Sequence, residues 1–480
     1  MIHASNQSRM TGPRAELFDL EQVGSLLRDE VSWPWASNLR DVILERCWPS
    51  RNGGYVFEWS FAVPGQGRRT LFGQTGQDPS ENGSETLRTA QDTDDGIRDV
   101  RVSVPSWGLL LHTPDRDPRL PQLGQCLDGE RMEDLLNAVL ARMNGGQAVP
   151  FTRIACRLLG YRPGRRAAIA YCDTASEARA PLLIGKTYVD DRGERLALLH
   201  TELNEQITHH SDRQVKVPSV VDMLPDLHMS LFDHSRGRAM DDTAWWAAED
   251  AVRAADSLAA LHRCVVPGLR IFSIQDEFDV TKHWHSVLQR LNPPMATATR
   301  PILEALSHLS SCVNNTRRCM VHRDFHEGQL LIGRRVTTLL DLDTLALSHP
   351  CLDLGNLLAH LYLDRWGKGR SRVEFDELSA TVIHAYESRM PPVDPRALSF
   401  YTASSLCRVG AVHAMRTRTG RFSMAMWDLA EEVLLNANRR PGTRGLGFLD
   451  SRISESGTSS MPRPIGTRSA HQPSPARIRN

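Results

Sequence analysis

Several common sequence features are missing from this chain of 480 residues. No apolar run reaches the length of about 18 residues that a membrane-spanning helix needs, and residues 1–14 are polar, without the apolar stretch of a signal peptide. Neither sign of charge dominates, because 57 Lys and Arg balance 57 Asp and Glu. We therefore expect a cytoplasmic protein with no membrane attachment and no basic field that would attract nucleic acid.

The cysteines argue against two further means of stabilising a fold, disulfide bonds and structural zinc. The nine cysteines are odd in number and scattered, and no C-x-x-C pair occurs. This pattern indicates reduced thiols rather than a disulfide framework or a zinc site. The sequence also has no internal repeat and no cluster of Cys and His with metal-site spacing. At about 150 residues per domain, the length predicts two or three domains.

Acidic and amide side chains are concentrated in one stretch near residues 321–343. Asp324 precedes a short apolar run, Gln329 lies five residues later, and Asp341 ends a second apolar run. Phosphoryl transfer needs a carboxylate to accept the acceptor's proton and oxygen ligands that hold magnesium against the phosphates. Magnesium usually takes only one or two carboxylates. The spacing therefore predicts Asp324 as base and Gln329 and Asp341 as Mg²⁺ ligands, although each motif alone has a simpler structural explanation.

These residues resemble the catalytic and metal-binding segments of the aminoglycoside phosphotransferase and choline kinase-like family, relatives of protein kinases. Family members read H-G-D-L-H-x-x-N and then hydrophobic-D-hydrophobic, and His322, Asp324, His326 and Asp341 are in register. The resemblance implies transfer of the γ-phosphate of ATP or GTP to a hydroxyl of a small molecule. It leaves the acceptor open between an antibiotic such as an aminoglycoside and a metabolite.

The chain departs from the family pattern at two positions. Arg323 stands where the family has glycine, as in protein kinases, and Gln329 stands where it has the metal-binding asparagine. Glutamine keeps the amide oxygen on a side chain that is one methylene longer. Arg323 and His326 are placed in the catalytic loop as supports of Asp324. The alternative function is a nucleotide-binding, catalytically weak, kinase-like protein with a regulatory or interaction role.

Three other segments bear on the same site. A turn at Arg162–Arg166 takes the place of a G-x-G-x-x-G loop. A Pro-Gly turn usually has only a structural role, but the three arginines of this one can reach phosphates. By the resemblance, Asp353 anchors the catalytic loop from the start of a helix. His262 closes a leucine- and alanine-rich helix and is interpreted as a packed structural residue.

The nucleotide-binding residues are inferred from the family's third strand, next helix and hinge. Lys186 lies in an apolar strand, and in the family such a lysine pairs with the nucleotide phosphates and is held by a helix glutamate. Glu202 is the expected partner, with Glu205 as the fallback. Without the downstream motif, an edge-strand lysine and a solvated glutamate would explain these residues equally well. Backbone groups from Leu231 to Asp233 are expected to meet the adenine or guanine ring.

The expected fold is α+β, a two-lobed protein kinase-like fold with a small β-rich lobe, a helical large lobe and an N-terminal α+β extension. The predicted segments are a disordered arm at 1–14, the extension at 15–145, the small lobe at 150–235, the large lobe at 236–438 and a disordered basic tail at 439–480. Because every residue assigned to chemistry lies beyond residue 145, the extension is expected to be separable.

Overall fold

The structure is a computed structural model that describes residues 15–30, 39–50, 54–65, 67–76, 91–93, 96–143, 153–174, 181–211, 213–240, 247–313, 317–415 and 420–439. The predicted arm at 1–14 and the predicted tail, except Arg439 at its start, lie outside these residues. Within the described ranges, no helix combines the length and the apolar content needed to cross a membrane.

The N-terminal extension is built around a five-stranded antiparallel sheet. Its elements are α1 (Leu20–Glu30), β1 (Arg40–Pro49), β2 (Tyr55–Val63), β3 (Gly67–Thr75), β4 (Gln91–Thr93), β5 (Gly96–Arg98), β6 (Arg101–Val104) and β7 (Leu109–His112). The strand order is β1-β2-β3-β7-β6, and β4 pairs with β5 separately. Strand β2 confirms the apolar alternation of the sequence, and its buried Phe57 and Trp59 rings stack at 5.1 Å between centroids. Strand β1 was not predicted.

The small lobe follows two helices, α2 (Leu123–Cys126) and α3 (Gly129–Met143). Its elements are β8 (Ile154–Arg162), β9 (Arg166–Asp173), β10 (Pro181–Tyr188), α4 (Arg192–His210), β11 (Val215–Lys216), β12 (Val220–Leu224) and β13 (Met229–Asp233). Five of the strands form one antiparallel sheet in the order β12-β13-β10-β9-β8. This sheet carries the predicted lysine strand, β10, between β9 and β13.

Helices α2 and α3 share a hydrophobic core with the small-lobe sheet. Leu123 and Leu136 are fully buried in the same cluster as Ile169 and Leu231. The sheet face away from the cleft is apolar and needs a cover, which these helices supply. This shared core argues against the expected separation of everything before residue 145, because removing α2 and α3 would expose that face.

The large lobe is mainly helical. Its elements are β14 (Arg238–Ala239), α5 (Ala248–Arg263), α6 (Ile274–Leu291), α7 (Pro293–Ser310), β15 (Cys319–Val321), β16 (Leu330–Ile332), β17 (Thr337–Leu339), β18 (Ala346–Ser348), α8 (Cys351–Gly367), α9 (Arg372–Glu387), α10 (Pro395–Ala414) and α11 (Gly420–Arg439). Short sheets β11-β17-β16-β14 and β15-β18 present the catalytic segment.

Helices α8 and α10 form the centre of the large lobe. They approach so closely at Gly355 that a Cβ there would lie 2.6 Å from the backbone of Tyr401 and Thr402, which only glycine avoids. Both helices are buried along most of their length, so α8 forms a rigid support for the loop that precedes it. The predicted α+β, two-lobed kinase-like fold is confirmed.

Candidate active site

A single buried carboxylate holds the catalytic loop in place. Asp353, fully buried in the first turn of α8, accepts hydrogen bonds from the backbone N–H groups of His322 at 2.6 Å and Arg323 at 2.7 Å. His262 Nε2 donates a third bond to it at 3.1 Å, while His262 Nδ1 lies 2.7 Å from the Tyr386 hydroxyl. Hydrogen bonds to a charged acceptor are short and strong. Asp353 and His262 therefore take the structural positions expected of them.

The three residues predicted for the catalytic loop point in different directions. Arg323 has a left-handed backbone (φ 69°), and its guanidinium lies 3.8 Å from the ring centroid of Phe272, so it supports the loop from behind. Asp324 is half-buried, and no side-chain partner of its carboxylate is found in the described part of the chain. Its negative charge favours the protonated forms of Arg162 and Arg166 across the cleft.

His326 fixes the short turn that carries Gln329. The Gly328 N–H donates to His326 Nδ1 at 3.1 Å, and the Gln329 amide nitrogen lies 3.2 Å from His326 Nε2. Because Nδ1 accepts, a neutral His326 carries its proton on Nε2 and donates it. When the Gln329 side-chain amide is rotated by 180°, its oxygen accepts the hydrogen bond that His326 Nε2 donates. One lone pair of that oxygen remains for a second partner.

His326 also belongs to a group of possible metal ligands that spacing did not reveal. Potential ligand atoms of His326, Glu327 and His360 lie within 4.8 Å of one another. However, the two imidazole rings stack at 4.5 Å with an interplanar angle of 16°. Their lone pairs lie in the ring planes and do not converge on a common point, so we assign no metal to this group.

Asp341 lies at the centre of a four-residue charge cluster. It has a left-handed backbone (φ 55°) and accepts from Lys186 Nζ at 2.8 Å and from both terminal nitrogens of Arg166, at 2.8 and 2.9 Å. Asp343 pairs with the same two cations. Burial disfavours the carboxylate, but Lys186 and Arg166 together hold the pKa of Asp341 well below its usual range.

Lys186 has different partners from those expected. Burial lowers the pKa of its ammonium, the carboxylate of Asp341 opposes that effect, and the charge of Arg166 adds to it. Its Nζ donates to Asp341 at 2.8 Å and to Asp343 at 3.1 Å. Glu202 and Glu205 are exposed on α4. The buried positions of this helix repeat every three or four residues and place His200, rather than either glutamate, on the inward face. The predicted pairing of Lys186 with Glu202 is therefore wrong, and so is the fallback to Glu205.

Four of the predicted site residues meet at a cavity of about 870 Å³. Its walls are the cleft faces of β8, β9 and β10, the end of β13 and the segment around β16 and β17. The predicted residues that line it are Lys186, Asp233, Gln329 and Asp341, whereas Asp324, Glu202 and Leu231 do not. These four residues come from separate elements of the chain and line one polar cleft that has an apolar wall.

Of the expected hinge residues Leu231 to Asp233, Leu231 alone does not line the cavity. Leu231 is fully buried in the core under α2 and α3, and its strand is paired on both sides, with β10 and β12. Since side chains alternate along a strand, Phe232 faces the cavity instead. Asp233 follows it there, and its carboxylate accepts from the Ser219 N–H at 2.6 Å. The period of two could have identified Phe232 from the sequence.

The cavity residues that sequence reasoning missed include Arg46 and His200. Arg46 comes from β1 of the extension, far from every recognised motif. His200 lies on α4, its ring centroid 4.8 Å from that of Phe232. Burial, reinforced by the charge of Lys186, lowers the pKa of His200 to about 4. The inward-face spacing of α4 could have identified His200, whereas no local signal identified Arg46.

The arrangement is a two-lobed, kinase-like fold, with a cleft between a β-rich lobe and a helical lobe. Residues 190–401 match the model of the phosphotransferase enzyme family. This part of the chain is therefore similar to that family, as the sequence motifs indicated. A comparison with curated proteins found no match.

Solved structures with similar folds include three small-molecule kinases. A choline/ethanolamine kinase family protein from Mesorhizobium loti is 14% identical, with 62% of this chain and 94% of that chain covered at a TM-score of 0.42. Spectinomycin phosphotransferase, in complex with ADP and spectinomycin, is 12% identical, with 64% and 94% covered at 0.42. Choline kinase from Cryptosporidium parvum is 12% identical, with 64% and 95% covered at 0.43. The identities, coverages and TM-scores describe how similar this chain is to these three structures.

Proposed function

We propose that the cleft binds ATP or GTP and transfers its γ-phosphate to a hydroxyl of a small molecule. The observation that carries this proposal is the meeting of Lys186, Gln329 and Asp341 on one cavity, although Lys186 is distant in sequence from the other two. Phosphoryl transfer depends mainly on positioning and charge stabilisation. A cavity with cations and carboxylates at one end and Phe232 on its wall suits a nucleotide.

The proposed roles follow from the atoms that each residue offers. Asp341, with Asp343 and the amide oxygen of Gln329, supplies the hard oxygen donors that suit Mg²⁺, and bound magnesium would neutralise charge on the phosphates. Lys186 binds the phosphates from the opposite wall. Asp324, which has no hydrogen-bond partner among the described side chains, is available to accept the acceptor's proton.

A specific contact favours the second candidate, a nucleotide-binding protein with weak catalysis. Arg166 holds both carboxylate oxygens of Asp341 in a two-pronged pair. Such pairs combine charge with matched geometry, so a metal must displace the guanidinium before it can use both oxygens. The longer Gln329 side chain adds a second departure at the same site. A regulatory or interaction role would then depend on nucleotide binding alone.

Transfer of labelled phosphate from ATP and GTP to hydroxylated antibiotics and metabolites tests the proposal. General acid–base catalysis contributes about 100-fold or more, so Asp324→Asn should lose at least that much transfer while its nucleotide affinity stays close to that of the wild type. Nucleotide binding with no transfer to any acceptor would favour the weak-catalysis candidate. A protein that binds neither ATP nor GTP would contradict both.

A further inference from the structure

The extension places an arginine in the cleft. Arg46 pairs directly across the sheet with Glu58, and its Nε lies 2.7 Å from Glu58 Oε2. The pairing register of β1 shifts between Leu44 and Arg46, as in a β-bulge that leaves Glu45 without an opposite residue. A bulge of this kind redirects the following side chain. Arg46 lines the cavity with 51% of its side chain exposed.

The cavity has more positive charge than its own carboxylates neutralise. Arg166 and Lys186 are already paired with Asp341 and Asp343. Arg157 and Arg162 also line the cavity, and neither guanidinium has a carboxylate partner within the described ranges. With Arg46, whose partner Glu58 does not line the cavity, three guanidinium groups face a space that lies next to the proposed metal site. This surplus complements a ligand that carries several negative charges.

The turn at Arg162–Arg166 is fixed by residues that precede the small lobe. Asp117 Oδ2 accepts from the Tyr161 hydroxyl and from the Gly164 N–H, both at 2.6 Å. The Tyr161 ring also meets Phe72 of the extension sheet edge to face, at 4.8 Å between centroids. The extension sheet and the turn are thus held in one arrangement, so Arg46 does not depend on a moving loop to reach the cleft.

We infer that the N-terminal extension completes the nucleotide site, with Arg46 binding the phosphate chain beside Arg162. This inference rests on the proposed function, because it assumes that the cavity takes a nucleotide. It assigns the extension a part in donor binding, and it makes Glu58 the residue that positions Arg46. The nucleoside end of the ligand lies at the other end of the cavity, near Phe232, and is not contacted by Arg46.

Calorimetric titration of ATP, ADP and adenosine into the full chain tests the inference. Arg46→Gln should weaken ATP and ADP about tenfold, which corresponds to roughly 1.4 kcal/mol, and leave adenosine unchanged. Arg46→Glu should weaken both phosphorylated ligands further. Arg40→Gln is the matched control, since Arg40 is exposed on the same strand and does not line the cavity. Its affinities should equal those of the wild type.

Two results would overturn the inference. Unchanged ATP and ADP affinities in Arg46→Gln would show that the arginine does not meet the phosphates. An equal loss for adenosine would show that the substitution acts through the fold. A failure of nucleotide binding itself looks different, because the wild type would then bind neither these three ligands nor GTP.

Discussion

The neutral state of His200 predicts how the stability of the protein depends on pH. Burial, with the charge of Lys186 nearby, lowers the pKa of His200 from 6.5 to about 4. Below pH 6.5 the unfolded chain therefore binds a proton that the folded chain does not accept until about pH 4. Stability falls as pH drops through this window. From pH 7 to pH 5, this histidine lowers the free energy of unfolding by about 2 kcal/mol.

Urea unfolding at pH 7 and pH 5 measures this effect. His200→Gln removes the titrating group, so the difference between the two pH values should shrink by about 2 kcal/mol relative to the wild type. His209→Gln, on the exposed side of the same helix, should leave the difference unchanged. His349, whose pKa burial also lowers to about 4, contributes equally to all three proteins and cancels. An unchanged pH dependence in His200→Gln would refute the assignment of a neutral buried imidazole.

Three further predictions concern Asp353, Gln329 and the N-terminal extension. Asp353→Asn should lower the free energy of unfolding by about 3 kcal/mol. The reason is that the new amide N–H group would face an N–H group that now donates a hydrogen bond to the carboxylate. A loss below about 0.5 kcal/mol in chemical denaturation would contradict this prediction. Gln329→Asn should keep the rate of phosphate transfer within about tenfold of the wild type, whereas Gln329→Ala should lower that rate further. Equal single-turnover rates in the wild type and both variants would exclude Gln329 from the site. Deleting residues 1–144 should give an insoluble product, whereas a soluble, ATP-binding product would show that α3 is dispensable.

The catalytic segment could be predicted because its chemistry is local in sequence. Asp324, Gln329 and Asp341 lie within one loop–strand–loop unit, and the spacing of that unit defines the reaction class. The helices of the large lobe were also predictable, since long amphipathic segments have a strong period. Helix α5 (Ala248–Arg263) is an example, because its leucine- and alanine-rich face was recognised up to His262.

The contacts between segments could not be predicted in the same way. Glu202 was chosen by its distance in sequence from Lys186. The orientation of α4 about its axis depends instead on which face packs against the sheet, and that face carries His200. Strand β1 escaped detection because its irregular register breaks the alternation of apolar and polar residues. The same irregularity hid Arg46, whose contribution to the cleft depends on how the extension packs against the small lobe.

Magnesium dependence of nucleotide binding tests the central claim most directly. ATP is titrated calorimetrically into the wild type and into Asp341→Asn, each with and without Mg²⁺, and folding is checked by thermal unfolding. The wild type should bind ATP more tightly with magnesium, and Asp341→Asn should lose this dependence while it stays folded. The same magnesium-dependent gain in both proteins would contradict the assignment of the cleft as a metal-assisted phosphotransfer site.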